Sequence, residues 1–220
     1  MRHRLRAALG LAVATGFIAG AAASPGFVAG PARAASFDCA RAASPAERAL
    51  CSDPGLSALD AQLGAAYARR VARDPALRQL QRGWLKARDV GCGGDRGCLR
   101  RLISWQLGWL SRGSARPPAR LPTSEGACSL TAISRLGSRL EGDPASGSAA
   151  EETNGADQVS YELVAPIQAS RVGDPALVCL VSLPRHCPPG DERGKVYAVA
   201  NLRTLGAWSL ADAEHLCGGA

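Results

Sequence analysis

Eight cysteines constrain this chain more than any other feature, because all of them lie beyond residue 38 and their number is even. No Cys-x-x-Cys pair occurs among them. Structural zinc sites and disulfide oxidoreductases both rely on such closely spaced pairs. We therefore expect disulfide bonds, which form and persist in oxidising compartments. The eight residues are Cys39, Cys51, Cys92, Cys98, Cys128, Cys179, Cys187 and Cys217.

The first 34 residues predict export. Arg2, Arg4 and Arg6 precede an apolar run over residues 7–23, and an Ala-x-Ala site lies at Ala32-Arg33-Ala34. This order is typical of a cleavable signal peptide. The apolar run is broken by three glycines and falls short of the ~20 residues that a spanning helix needs. We expect a periplasmic or secreted protein that begins near Ala35 and has no membrane span.

A segment rich in Pro, Gly, Ser and Arg, residues 113–122, divides the remaining chain in two. It predicts a linker between two small domains, one at 35–112 and one at 123–220, each holding four cysteines and each stapled within itself. Residues 35–112 contain 13 Lys+Arg and 7 Asp+Glu, a formal charge of +6. Residues 121–220 contain 7 and 12, a charge of −5. Without residues 1–34 the chain carries only +3, so the charge indicates no nucleic-acid partner.

The first half is predicted to be a small, disulfide-stapled helical bundle. Ser44-Pro45-Ala46-Glu47 is a capping box with proline at the first helical position. Asp53-Pro54 and Asp74-Pro75 repeat an acidic cap before proline, and Asp95 is a fourth cap. Apolar residues recur every three or four positions between these caps. The pattern indicates one short helix and three longer ones.

Three pairings of the first four cysteines are open to this bundle. If successive helices run antiparallel, Cys39 and Cys51 lie at the same end as Cys92 and Cys98. We favour cross-pairing between these two groups, because a bridge closing about fifty residues contributes roughly 4 kcal/mol in the chain-entropy treatment. Local pairing, Cys39 with Cys51 and Cys92 with Cys98, constrains the unfolded chain far less and is the alternative.

The second half is predicted to be mainly β. Runs at 159–164, 176–183 and 195–202 are rich in β-branched and aromatic residues and are separated by turn signals such as Asn154-Gly155. The polar segment between Glu141 and Asp157 is expected to be a mobile loop. Its five acidic residues are candidate partner contacts: Glu141, Asp143, Glu151, Glu152 and Asp157.

No residue pattern indicates catalysis, a metal or a cofactor. His186 and His215 adjoin Cys187 and Cys217, and surface histidines beside disulfides explain them better than a Cys/His catalytic pair or a metal site. The basic half has no histidine, and its carboxylates serve helix caps or lie beside arginines. Trp105 and Trp109 belong either to a wide core stripe or to a partner-binding surface, where Trp is a typical anchor.

A set of motifs occurs in order along the first half: Phe37-Asp38-Cys39, Ser44-x-x-Glu47, Leu50-Cys51-x-x-Pro54-x-Leu56-x-x-Leu59-Asp60, Leu63-x-x-x-Tyr67, Gln81-Arg82-x-Trp84-Leu85-x-x-Arg88-Asp89, Cys92 and Cys98-Leu99. Together these motifs resemble the LprI family of lysozyme inhibitors in the bacterial envelope. The similarity covers about residues 36–110. It implies a helical domain with two disulfides and lysozyme inhibition. The family usually has Tyr and Arg where this chain has Ile103 and Gln106, whereas the second half resembles no family that we can name.

We therefore expect a non-enzymatic, exported protein that binds and inhibits a lysozyme-type muramidase. Animal lysozymes are strongly cationic, so the acidic segment between Glu141 and Asp157, assisted by the tryptophans, is a better electrostatic match than the +6 half. The alternative is a periplasmic scaffold module that binds peptidoglycan or another envelope protein. A hydrolase using His186 or His215 ranks behind both.

Overall fold

The structure, a computed structural model, describes residues 35–114 and 116–219, and the predicted signal peptide lies outside the described residues. A helical region is followed by an antiparallel sheet region, and each contains two disulfides, so the predicted fold class is confirmed. The helices are α1 (Pro45–Ser52), α2 (Pro54–Val71), α3 (Leu77–Cys92), α4 (Arg96–Arg112) and α5 (Ala165–Gln168). The strands are β1 (Cys128–Gly137), β2 (Ser148–Glu152), β3 (Asp157–Ser160), β4 (Pro175–Ser182), β5 (Val196–Asn201) and β6 (Ala207–Ala211).

Three of the four predicted helix starts are confirmed. The Ser44 hydroxyl accepts from the Glu47 N–H while the Glu47 carboxylate accepts from the Ser44 N–H, which completes the capping box before α1. Asp53 and Asp95 cap α2 and α4 by accepting the N–H three residues further on.

The predicted start at Asp74-Pro75 is wrong. The Asp74 carboxylate accepts from the Ala76 N–H, and α3 begins only at Leu77, without a side-chain cap. The reason is local: the N–H groups of Leu77 and Arg78 bond to carbonyls three residues back, a tighter turn than an α-helix. The acid-proline pair therefore initiates a turn that precedes the helix.

The three long helices alternate in direction. Asp53 at the start of α2 lies 3.7 Å from Arg100 near the start of α4, and Arg70 near the end of α2 donates to the Leu110 carbonyl near the end of α4. Helices α2 and α4 thus run parallel, with α3 antiparallel to both. Within residues 35–114 and 116–219, no helix combines the length and apolarity needed to cross a membrane.

The disulfides correct our preference for cross-pairing. Cys39 bonds Cys51 and Cys92 bonds Cys98, with Cα–Cα distances of 5.7 and 5.4 Å. Cys39 lies in a 3-10 turn just before α1, and the last turn of that short helix returns to it. A tight turn after Cys92 likewise places Cys98 in the first turn of α4. Each bridge fastens the ends of one short segment, so cross-pairing was wrong.

The six strands form one antiparallel sheet in the order β3-β2-β1-β4-β5-β6. The sheet curls until its two outer strands meet at Gln158 of β3. The Gln158 amide donates to the carbonyls of Tyr197 on β5 and Leu210 on β6, and its oxygen accepts from the Trp208 indole. Cys128–Cys179 joins the adjacent strands β1 and β4, and Cys187–Cys217 holds the C-terminal segment, so each half is stapled within itself as predicted.

The predicted strands at 176–183 and 195–202 are confirmed by β4 and β5, whereas the run at 159–164 overlaps β3 only at its first two residues. The prediction of a mobile loop between Glu141 and Asp157 is wrong, because β2 and the start of β3 lie within this segment. Small side chains at Ala149 and Ala150 fit between neighbouring strands, and Gly155 at φ 89° closes the turn. Strands β1 and β6 were not predicted.

One face of the sheet packs against α3. Side chains of β4 alternate strictly: Val178 and Leu180 point into the curled sheet, while Leu177 and Cys179 join the helical core. Helix α3 lies close to this face through small residues, since a Cβ added at Gly91 would fall 2.7 Å from Ala198 and 2.8 Å from Val181. The helical and sheet regions therefore share one hydrophobic core.

The segment at 113–122 is packed along the molecule. Pro117 and Pro122 are buried, the Pro118 carbonyl accepts from Leu130 of β1, and the Ser114 carbonyl accepts from Arg70. The division into separate domains at 35–112 and 123–220 stays a prediction about which parts fold alone.

Candidate functional site

The polar residues that carry the family resemblance converge on one cleft of about 410 Å³. It lies between α1, α2 and α3, and the turn between β5 and β6 closes one side. This volume is within the range of small-ligand sites. The lining comprises Ser36, Phe37, Glu47, Asp60, Leu63, Gly64, Tyr67, Gln81, Arg82, Leu85, Lys86, Arg88, Asp89 and Leu205.

A buried ion network forms the base of one end of the cleft. The Arg88 guanidinium donates to the Asp89 carboxylate at 2.9 and 2.7 Å and lies 3.9 Å from the Asp60 carboxylate. Asp60 also accepts from the backbone and the hydroxyl of Ser36, at 2.8 and 2.6 Å. Arg88 further stacks on the buried Trp84 ring. Both Asp60 and Arg88 are only 3% exposed, so Asp60 depends on the Arg88 guanidinium for a counter-charge.

Glu47 adds a third carboxylate to this end. The backbone N–H groups of Ser44 and Ala43 lower the pKa of Glu47 below its usual value, because they stabilise the ionised form. One carboxylate oxygen accepts both bonds, and the other has no hydrogen-bond partner within residues 35–114 and 116–219. The Asp89 network is similar, since Arg88 bonds only one of its two oxygens.

The opposite end of the cleft is rich in donors. Tyr67 lies two helical turns beyond Asp60 on α2, and Gln81 lies two turns before Arg88 on the antiparallel α3. The Gln81 oxygen accepts from buried Gln106 on α4, which turns its NH₂ group away from that contact. Within residues 35–114 and 116–219, neither the Tyr67 hydroxyl nor this NH₂ group has a hydrogen-bond partner, and Arg82 makes only one bond, to Gln79.

Leu205 supplies an apolar wall from the sheet region in a strained conformation. Its φ of 60° is in the left-handed range that side-chain-bearing residues avoid, at a cost of roughly 1–2 kcal/mol. The turn holds it there, because the Leu205 N–H bonds to the Asn201 carbonyl and the Asn201 side chain accepts from Arg203 and Thr204. Such strain is often retained where a side chain has a role beyond stability.

The cleft is arranged for binding. No histidine or cysteine is among its lining residues, and its carboxylates are already engaged by backbone N–H groups or by Arg88. A charged, hydrogen-bonded end faces a donor-rich end across apolar walls. This arrangement suits a ligand with complementary groups at its two ends.

The structure places the two predicted tryptophans differently. Trp109 is 2% exposed and belongs to the core, where the Arg70 guanidinium lies 5.8 Å from its ring centre. Trp105 is half-buried and packs against the edge of the same core. Partner binding by the pair stays a prediction, and Trp105 offers it much more surface than Trp109.

The five predicted acidic residues do not form one surface. Glu141 and Asp143 are exposed in the turn between β1 and β2, where the Asp143 carboxylate accepts from the Ala145 N–H. Leu140 in the same turn is 47% exposed, and Tyr161, after β3, is 54% exposed and covered on one side by Arg139. We call Leu140, Glu141, Asp143 and Tyr161 the tip surface.

The other three acids lie on the paired strands. Glu151 forms an ion pair with Arg135 of β1 and sits opposite Asp157 of β3. Glu152 is 3% exposed, and neither carboxylate oxygen has a hydrogen-bond partner among the described residues. Burial, followed by the charges of Asp157 and Glu151, raises the pKa of Glu152 to about 8. Glu152 is therefore a structural acid inside the sheet and is not available to a partner.

His186 and His215 are both exposed, on either side of the Cys187–Cys217 bridge. Among the residues that the structure describes, no three His, Cys, Asp or Glu side chains lie close enough to hold a metal ion. Sequence reasoning missed the cleft, although the motif positions Gln81, Arg82, Arg88 and Asp89 gave a signal: polar residues at helical spacing beside a buried stripe.

Residues 39–123 match the family model described as Lysozyme inhibitor LprI. The match covers the helical region and the segment after it and ends before β1, so the resemblance of this region to the family is confirmed. No curated protein and no solved structure matches the chain.

Proposed function

We propose that this chain, whose helical region matches the LprI lysozyme-inhibitor family, is an exported protein that binds a lysozyme-type muramidase and inhibits it without catalysis. The family match over residues 39–123 is the observation that carries this proposal. The four disulfides support an oxidising, extracytoplasmic location. The signal-like residues 1–34 support the same location.

The shape of the molecule favours the sheet region as the contact with lysozyme. Blocking an enzyme cleft needs an exposed element, whereas the motif residues here line a concave cleft. The turn between β1 and β2 is such an element, because every residue from 140 to 145 is exposed. Its Leu140 and nearby Tyr161 are apolar anchors, and Glu141 and Asp143 provide an acidic rim.

Charge supports the same assignment. Residues 35–112 carry +6 and would repel a cationic lysozyme, whereas residues 121–220 carry −5 and attract it. Opposite charges on two regions of one molecule orient the encounter, so that the tip surface approaches first.

A lysis-protection assay tests the proposal. Residues 35–220 are mixed with chicken-type, goose-type and invertebrate-type lysozymes, and clearing of a bacterial suspension is followed. We expect at least one lysozyme to lose most of its activity at a stoichiometric ratio. Undiminished lysis with all three would contradict inhibition and favour a scaffold role in the envelope.

A further inference from the structure

We propose that the cleft between α1, α2 and α3 binds a short, extended peptide of about three residues that has a free amino group and a free carboxylate. This site is separate from the tip surface and does not depend on lysozyme inhibition. Its carboxylate end is expected near Tyr67, Gln81 and Arg82, and its amino end near Glu47 and Asp89.

The polarity of the cleft carries the argument. At one end, Tyr67 and Gln81 present hydrogen-bonding groups without partners in the described chain, and Arg82 has most of its donors free. These are the groups that bind a carboxylate, with the guanidinium giving the strongest contact. At the other end, Glu47 and Asp89 each have one carboxylate oxygen that accepts no hydrogen bond from the described residues, which suits an ammonium group.

The length of the ligand follows from the helices. Asp60 and Tyr67 are seven residues apart on α2, which corresponds to about 10 Å along a helix axis. An extended peptide advances about 3.3 Å per residue, so about three residues span the two ends. A single amino acid cannot reach both ends, and a longer peptide must leave the cleft.

The walls indicate small apolar side chains. Phe37, Leu63 and Leu85 line the cleft between its charged ends, and Leu205 closes it from the sheet region. A sugar would need several hydroxyl partners along this middle section, where the Lys86 ammonium adds one donor beside the apolar side chains, whereas a peptide with methyl side chains packs against those side chains. The strained backbone of Leu205 is explained if its side chain serves this wall.

Trialanine is the probe, titrated calorimetrically into residues 35–220. We expect saturable, weak binding, in the range of about 1 mM. Blocking either end, as N-acetyl-trialanine or as trialanine amide, should weaken it about tenfold, because each blocked end loses a charge-assisted contact. Absence of binding by trialanine, or tighter binding of a neutral N-acetylglucosamine trisaccharide, would overturn the proposal.

Variants locate the ends. In Arg82→Gln, trialanine should bind about tenfold more weakly and no better than its amide, since the variant has lost the partner of the carboxylate. Arg78→Gln on the same helix, outside the cleft, is the matched control and should keep the wild-type preference. An equal loss in both variants would show a general charge effect and contradict the assignment.

Leu205→Gly separates binding from stability. Glycine accepts a φ of 60° without strain, so the melting temperature should not fall, while the lost wall should reduce trialanine affinity severalfold. Unchanged affinity together with unchanged stability would remove Leu205 from the site and, with it, the sheet region's part in the cleft.

Discussion

Asp60 in the helical region and Glu152 in the sheet region are both buried carboxylates, but their surroundings are opposite. In the helical region Asp60 is bonded to Ser36 and lies beside Arg88, which also bonds Asp89. In the sheet region Glu152 is equally buried and its oxygens have no partner in the described chain. Burial raises the pKa of Glu152 to about 8, so this carboxyl is mostly protonated below that pH. A second buried carboxylate of the sheet region, Asp174, is paired with Arg203, so the difference teaches that the placement of a partner at each site decides whether a buried carboxylate has a counter-charge.

The largest effect is expected when the ion network of Asp60, Arg88 and Asp89 is broken. Arg88→Met leaves Asp60 buried without its cationic partner, so the free energy of unfolding should fall by about 3–5 kcal/mol. Urea unfolding measures this loss. The double variant Asp60→Asn/Arg88→Met should recover part of it, because no buried charge remains; an additive double loss would contradict the coupling between the two residues.

The disulfides give the next effect and compare the regions directly. Cys128–Cys179 spans 51 residues and Cys92–Cys98 spans six, so in the chain-entropy treatment they contribute about 4 and about 2 kcal/mol. Each cysteine pair is replaced with alanines, and the free energy of unfolding is measured in urea. Removing the sheet bridge should lower this free energy roughly twice as much as removing the helical bridge. A larger loss from the helical pair would show that its small loop does more than entropy predicts.

A pH-dependent effect distinguishes Glu152. Its pKa is raised from 4.5 to about 8 in the folded protein, so the folded state binds more protons than the unfolded state between these values. The contribution of protonated Glu152 to the free energy of unfolding is therefore fully present below pH 4.5. It is lost as the pH rises toward 8, by at most about 1.4 kcal/mol per pH unit.

Glu152→Gln removes this titration. The free energies of unfolding of the variant and the wild type are compared between pH 5 and 8. The variant should become increasingly more stable than the wild type as the pH rises. The control is Glu162→Gln, an exposed carboxylate after β3. A constant difference across this range would contradict a raised pKa for Glu152.

The helical region could be predicted from sequence better than the sheet region, for physical reasons. Helix caps such as Ser44 and Asp53 act over three residues, so their effect is visible locally. Strand β1 and strand β6 depend on partners far along the chain, and their mixed polarity hides them. The acidic segment was misread because Ala149 and Ala150 form a strand through pairing that no local pattern reveals.

The cleft shows the same limit. The sequence indicated every motif residue in it, yet not that Leu205, over a hundred residues away from Arg88, closes its side. The prediction of cross-paired disulfides failed for a related reason. The bundle topology placed all four cysteines at one end, but the 3-10 turn at Cys39 and the turn after Cys92 bring cysteines that are close in sequence together. Close packing decides these details.

Inhibition of lysozyme by matched charge variants tests the central claim most directly. Glu141→Gln/Asp143→Asn removes two charges from the tip surface, and Asp38→Asn/Asp74→Asn removes two from the helical region; each asparagine keeps an acceptor for its turn. For the lysozyme that residues 35–220 inhibit, the tip variant should raise the inhibition constant about three- to tenfold, more at low salt than at physiological salt, while the control stays at the wild-type value. Equal inhibition by all three proteins would contradict binding through the tip surface.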